Sequence, residues 1–209
     1  MPKPRFRHIG RALPRKEDLR FLTGHGRYVD DLEIPGALHA CFVRSPHAHA
    51  RIVRIDAAAA LALPGVAAVL TGADLAQWTT PLRMAPPIEG LLAVEMTTLP
   101  LDKVRFHGDP VACVLAESRY LAEDAAERVE VEYQPLAAVA DLQQALAAGA
   151  PLVDESLPSN LVSSQSFSAG DGAARKREAY RVVECAFLQH RQTQLPIETR
   201  GCAALWDAG

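Results

Sequence analysis

Long apolar runs are missing from this chain of 209 residues, and so is any close pairing of its four cysteines, Cys41, Cys113, Cys185 and Cys202. No stretch approaches the roughly 20 apolar residues of a bilayer span, and residues 1–10 carry charge without the apolar centre of a secretion signal, so a cytoplasmic location is expected. Without a Cys-x-x-Cys pair, neither a zinc site nor an iron-sulfur cluster can be read from the cysteines, which are expected to be reduced, buried and small. A serine nucleophile elbow, a P-loop and a His-Glu-x-x-His zinc helix are equally lacking. Excess charge of one sign is lacking too: the net is -3, and the one basic triplet, Arg175-Lys176-Arg177, reads as a solvated helix face, which leaves no footprint for nucleic acid. Gly24 and Gly26 fall short of a dinucleotide loop because position 29 is Val29.

What is there is a chain that is 49% hydrophobic and long enough for one domain of ordinary size or one and a half. Its organising stretch is 108–136. The run Val111 to Ala116 is apolar enough for a strand buried on both faces. Ser118 then offers an oxygen to the first free amides of a helix whose Leu121, Ala122, Ala125 and Val129 recur at helical spacing. Val129, Val131 and Tyr133 alternate with Glu130 and Glu132, the period of a strand with one wet face. The expected unit is strand, helix, strand, with the helix lying across one sheet that holds both strands.

Around this unit, Phe21 and Leu22 anchor a short helical turn. Strands are expected at 38–44 and 50–56, joined as a hairpin across 45–49. A short helix follows at 57–63, begun by Asp56 and ended by Pro64-Gly65, then a strand at 66–70 and one helical turn at Asp74-Leu75. From 77 to 98 periodicity fades between Pro81, Pro86, Pro87 and Gly90, so a long loop is expected. A helix at 141–148 stops at Gly149; 156–172 reads as a surface crossing rich in Ser, Asn and Gly; and a helix at 173–179 leads into a strand at 180–188.

Several short strings then combine. Arg15-Lys16-Glu17-Asp18-Leu19-Arg20-Phe21-Leu22-Thr23-Gly24-His25-Gly26-Arg27-Tyr28-Val29-Asp30-Asp31 comes first. It is followed by Arg44-Ser45-Pro46-His47-Ala48-His49-Ala50, Gly108-Asp109-Pro110-Val111-Ala112, Ala122-Glu123-Asp124-Ala125-Ala126-Glu127 and Val131-Glu132-Tyr133-Gln134-Pro135-Leu136. His190-Arg191-Gln192-Thr193 and Pro196-Ile197-Glu198-Thr199-Arg200-Gly201 close the series. In this order they resemble the N-terminal part of the large, molybdopterin-binding subunit of the molybdenum hydroxylase family, which includes xanthine dehydrogenase, aldehyde oxidoreductase and aerobic carbon monoxide dehydrogenase.

The resemblance implies an α+β fold: a mixed-sheet α/β-hammerhead domain at 1–155, a linker or surface crossing at 156–179, and at 180–209 the first strands of an incomplete molybdenum-binding domain. It implies a structural and assembly part of an oxidoreductase that oxidises a heterocycle, an aldehyde or carbon monoxide with water-derived oxygen. Molybdopterin with molybdenum, in the cytosine dinucleotide form, would sit in a partner chain or domain, and iron-sulfur clusters and FAD in further subunits. The family's cofactor loops and catalytic glutamate match no position here, so no catalytic, cofactor-binding or metal residue is assigned. A natural split subunit and a truncation both fit the length.

Residues weighed as sites stay few. His47 and His49 share one side of an extended chain but lack a further placed ligand, and read as polar loop residues. Trp78 and Met84 line a channel or cover the core. Glu198 is expected to pair with Arg200 and fix a turn. Phe187, Leu195 and Trp206 are expected to be exposed where a partner is missing. Two other readings are a stand-alone small-molecule binding module with 77–98 as its mouth, and a metal enzyme using His47, His49 and one of His8, His25, His107 or His190.

Overall fold

The computed structural model describes residues 8–84, 88–190, 192–196 and 198–207, with the side chain of Met84 excepted. Pro86, Pro87, Arg191, Ile197, the Met84 side chain, the first seven residues and the last two therefore lie outside the description, although the sequence reading touched each of them. The chain divides into two units, Met1–Pro35 with Tyr180–Gly209, and Gly36–Ala179.

In the first unit, α1 (Asp18–Leu22) is followed by a single 3-10 turn at Val29–Asp31. Phe21 and Tyr28 stack with ring centroids 6.3 Å apart, and the Glu198 carboxylate accepts the Val29 amide at 3.2 Å. The strand expected at 180–188 does not form among the described residues, and Phe187 is 92% exposed. A strand persists only if its amides find a ladder partner, and no described strand pairs with this segment.

The larger unit carries β1 (His39–Arg44), β2 (Ala50–Asp56), α2 (Ala58–Leu61), β3 (Val66–Thr71), α3 (Gly72–Leu75), β4 (Leu82–Met84), β5 (Val94–Met96), β6 (Lys103–Val104), β7 (Pro110–Ala116), α4 (Arg119–Ala126), β8 (Glu130–Pro135) and α5 (Gly172–Glu178). Three sheets result, ordered β1-β7-β3, β6-β2-β8 and β4-β5. Every described ladder is antiparallel, so the α+β class holds while the sheets are not mixed.

β7 is central for the reason its composition suggests. Val111, Ala112, Cys113, Val114 and Ala116 are all buried, and an apolar run of that kind must be covered on both faces. One face meets α4 and α2, where Val114 packs with Ala60, Ala125 and Val129. On the other, Val111 joins Ala50 and Val104 of the second sheet. Val43 and Val131 pack against both clusters and join them. Alanines at 60, 122 and 125 let the helices approach closely, and each buried valine contributes roughly 1.5–3 kcal/mol. Ser118 caps α4 as its position suggests, its hydroxyl accepting the Leu121 amide at 3.2 Å.

Two pairings differ from expectation. β1 and β2 form no hairpin: β1 pairs with β7, while β2 pairs with β6 and β8. Likewise β7 and β8 flank α4 but belong to different sheets, because β1 and β3 already occupy both edges of β7. Alternation tells which side chains face inward, and it is silent on which strand lies alongside. The 77–98 stretch is not wholly irregular either, since β4 and β5 pair from Leu82↔Met96 to Met84↔Val94. At 141–148 only a 3-10 turn, Gln144–Leu146, replaces the expected helix. Asp141 Oδ1 accepts the amides of both Gln143 and Gln144, but the chain is extended again at Ala147. Cys113 is buried and Cys41 half-buried, as expected, whereas Cys185 and Cys202 are exposed and the expectation fails for them; all four are unpaired thiols.

Candidate functional site

A polar constellation gathers where the chain leaves β1 for the second sheet. Ser45, 2% exposed, directs that crossing: its amide donates to Asp109 O at 2.9 Å, its carbonyl accepts from Gly108 N at 2.8 Å, and its hydroxyl bridges the amide and carbonyl of His47. The loop is thereby tied to the start of β7. The His47 ring meets Tyr133 of β8 edge-on, with centroids 5.0 Å apart.

Tyr133 Oη is buried beside the Ser45 hydroxyl, which tempers the phenol's pKa without forming a well-aligned bond to it. Burial raises its pKa, and the charge of Asp109 acts in the same direction. Asp109 itself accepts the Arg105 amide at 3.0 Å. Burial lifts its carboxyl above the ordinary value, against the lowering effect of that bond and of the Arg105 charge.

An ionised Asp109 is therefore less comfortable in the fold than in the unfolded chain. Its stability contribution is full below the unfolded pKa and is lost as pH rises through the raised folded value. Asp109→Asn keeps an oxygen for the Arg105 amide and removes the titration. Denaturant melts of both proteins between about pH 7 and about pH 4 should show the wild type gaining on the variant as pH falls. A constant gap across that range would contradict the assignment.

A second group lies along β6. Lys103 and His49 are each 7% exposed. The Lys103 ammonium pairs with Glu155, and Arg105 Nε stands 3.9 Å from Asp154 Oδ2, an ion pair without a hydrogen bond. His49 Nδ1 is 2.9 Å from Ala137 O and its Nε2 is buried without a partner. The bond from Lys103 is the main reason the Glu155 carboxyl is held below its usual range, and His49 adds to that effect.

The histidines do not converge. No three His, Cys, Asp or Glu side chains come together in metal-holding geometry among the described residues. His107 is exposed, and so are His8 and His190; His25 is 3.0 Å from the Thr23 hydroxyl. Trp78 is exposed, and Glu198 makes no ion pair with Arg200 among the described residues. Its carboxylate caps Val29 instead, because the nearby amide gives it a fixed donor. Arg175, Lys176 and Arg177 fill the last turn of α5 and are solvated as expected, Arg175 toward Glu178. Phe187, Leu195 and Trp206 are all exposed.

The site residues that sequence reading did not single out are Ser45, Lys103, Arg105, Asp109, Tyr133, Asp154 and Glu155. The pairing of Lys103 with Glu155 spans 52 positions, and no local pattern announces it.

The molybdopterin that the resemblance implies can be tested against these residues. One cavity of about 80 Å³, between α3 and Thr97 to Leu101, is apolar and far below the several hundred Å³ that such a ligand fills. A second, open groove of about 370 Å³ lies along Ala145 to Leu161, and its polar side chains are already used. Asn160 donates to Ala145 O and Pro151 O and accepts from Val153 N, while the Ser159 hydroxyl accepts from Leu161 N. The described residues do not fit the group.

Residues 23–137 match the family described as aldehyde oxidase and xanthine dehydrogenase, a/b hammerhead domain. The chain is 42% identical over 196 residues to the nicotine 6-hydroxylase large subunit of Paenarthrobacter nicotinovorans, covering 94% of this chain and 24% of that protein. To the carbon monoxide dehydrogenase large chain of Afipia carboxidovorans it is 39% identical, over 95% of this chain and 26% of the other. Among solved structures, quinoline 2-oxidoreductase from Pseudomonas putida aligns with a TM-score of 0.70 at 45% identity, over 74% of this chain and 20% of that one. The chain thus spans about a quarter of the length of the curated relatives it matches.

Proposed function

Because the chain belongs to the aldehyde oxidase and xanthine dehydrogenase family and carries its hammerhead domain, we propose that it is a scaffold part of a molybdenum hydroxylase large subunit. The enzyme so assembled oxidises a small molecule, a heterocycle, an aldehyde or carbon monoxide, with oxygen drawn from water. Relatives named for nicotine, quinoline and carbon monoxide support that substrate range. Molybdopterin, as the cytosine dinucleotide, is held by further large-subunit sequence, and iron-sulfur and FAD subunits complete the electron path. The relatives' designations as large subunit, large chain and complex subunit support an assembly of several chains. In this reading 1–155 forms the hammerhead domain, 156–179 a crossing, and 180–209 the start of the molybdenum-binding domain. No described helix is long and apolar enough to cross a membrane.

One observation carries the scaffold reading: Tyr180, Phe187, Leu188, Leu195, Leu205 and Trp206 lie exposed, Trp206 at 90%, along a segment with no strand among its described residues. Apolar side chains in that density are covered in a working protein. What this chain supplies to the reaction is a folded support, with no group of its own at the reacting atoms.

The test is co-expression with the remaining large-subunit sequence of a relative. The expected result is a complex in which amides of 180–207 become protected, together with an isolated chain that carries no molybdenum and oxidises none of the three substrate classes. Stoichiometric molybdenum in the isolated chain, or no complex at all, would overturn the proposal.

A further inference from the structure

From the placement of charge beneath residues 137–162, we infer that this segment is a charge-gated cover: it closes over Lys103 and His49 only while the Glu155 carboxylate stands opposite the Lys103 ammonium. The segment contains no strand and a single 3-10 turn. None of its residues belongs to the buried core or packs against either core cluster, and Leu142, Leu146 and Leu161 are exposed. Its internal order is polar: Asn160 holds Ala145, Pro151 and Val153, and Asp154 accepts both the amide and the hydroxyl of Ser156. The open groove of about 370 Å³ runs through it, so its own side chains do not fill the space they enclose.

Attachment to the body of the unit is polar as well. Ala137 O receives His49 Nδ1, Val162 O accepts the Leu92 amide at 2.9 Å, Glu155 pairs with Lys103, and Asp154 faces Arg105. The first two bonds sit at the ends of the segment and act as hinges. Between them the two ion pairs are the charged attachments, beside half-buried Leu152 and Leu157. Closing takes an ammonium out of water, which costs several kcal/mol unless a counter-charge meets it, so the closed form depends on that counter-charge. Removing the carboxylate leaves the buried ammonium with only the more distant charge of Asp154 to offset it, and opening is then the route by which water reaches it.

Amide hydrogen exchange on the 209-residue chain tests this. In the wild type, Ala150, Val153 and Leu157, whose amides bond within the segment, should exchange faster than the amides of Val111 to Ala116 in β7. Glu155→Gln, close in shape and without charge, should speed the segment by on the order of tenfold or more while β7 keeps its protection. Adding Lys103→Met to that variant should restore slow exchange, because the buried ammonium that seeks water is gone. Three outcomes would overturn the inference: segment amides as protected as β7 in the wild type, a Glu155→Gln effect that is absent or equally large in β7, or a double variant that stays fast.

Discussion

Val114→Asp should abolish cooperative unfolding of the 36–179 unit, leaving a chain that shows no sigmoidal urea transition by circular dichroism. Val114 is fully buried at the middle of β7, opposite Cys41 on one side and Val69 on the other. Its packing neighbours Ala60, Ala125 and Val129 offer neither a cation nor a hydrogen-bond donor side chain to a carboxylate. Truncation to alanine at the same site removes about two methyl groups' worth of burial and costs roughly 2 kcal/mol, which a domain of ordinary stability survives. An aspartate fills nearly the same volume but must be either desolvated as an ion or held neutral far from its usual pKa, and either course costs several kcal/mol more. Since β7 holds both edges of its sheet and one face of each core cluster, no part of the unit would be spared. A variant melting within about 1 kcal/mol of the wild type would show that β7 is not the centre of the fold.

Gly72→Ala should lower stability by roughly 2–3 kcal/mol, and the melting temperature by roughly 5–10 °C, with the opposite sign to what helix propensity suggests. Alanine normally gains about 1 kcal/mol over glycine in a helix, and Gly72 opens α3. A Cβ at this position would lie 2.3 Å from Pro100 O, 2.8 Å from Pro100 C and 3.0 Å from Leu99 O. Those atoms are backbone, and Pro100 is stiff, so no rotamer change makes room; α3 or the chain at 99–100 has to shift. Gly172, the first residue of α5, is the matched control, with nothing within 4 Å of the same atom. Gly172→Ala should be neutral or slightly stabilising. Equal effects at the two positions, in thermal melts of the full chain, would mean that the close approach of α3 to Pro100 does not matter.

Legibility in the sequence followed distance along the chain. The α4 cap, its buried Ala122 and Ala125, and the fully buried β7 were all readable, because each is decided within a few residues by spacing and one hydroxyl. At α2 the expectation held only in part: Asp56 accepts the Ala58 amide at 3.0 Å, but the capping position is Ala57, whose side chain has nothing to cap with. The candidate site was not readable. Asp109 lay inside a string quoted for its resemblance to a family, but its raised pKa comes from burial that only the assembled sheets impose. Lys103 looks in sequence like an ordinary surface lysine beside Val104, and becomes a buried cation because β6 lies against β2 and Glu155 comes back across it.

By itself, the order of residues determined that there is a doubly buried strand with a capped helix after it, that the class is α+β, and to which family the chain belongs. Period and capping are local physics, and motif order survives any uncertainty about partners. Tertiary structure alone decided that β7 pairs with β1 and β3, that β2 turns away to β8, and that one buried lysine and one buried histidine meet Glu155 and Ala137 of a distant segment. Those outcomes depend on which sheet edges remain open and on where a charge can find its counter-charge, both properties of the whole assembly rather than of any window along the chain.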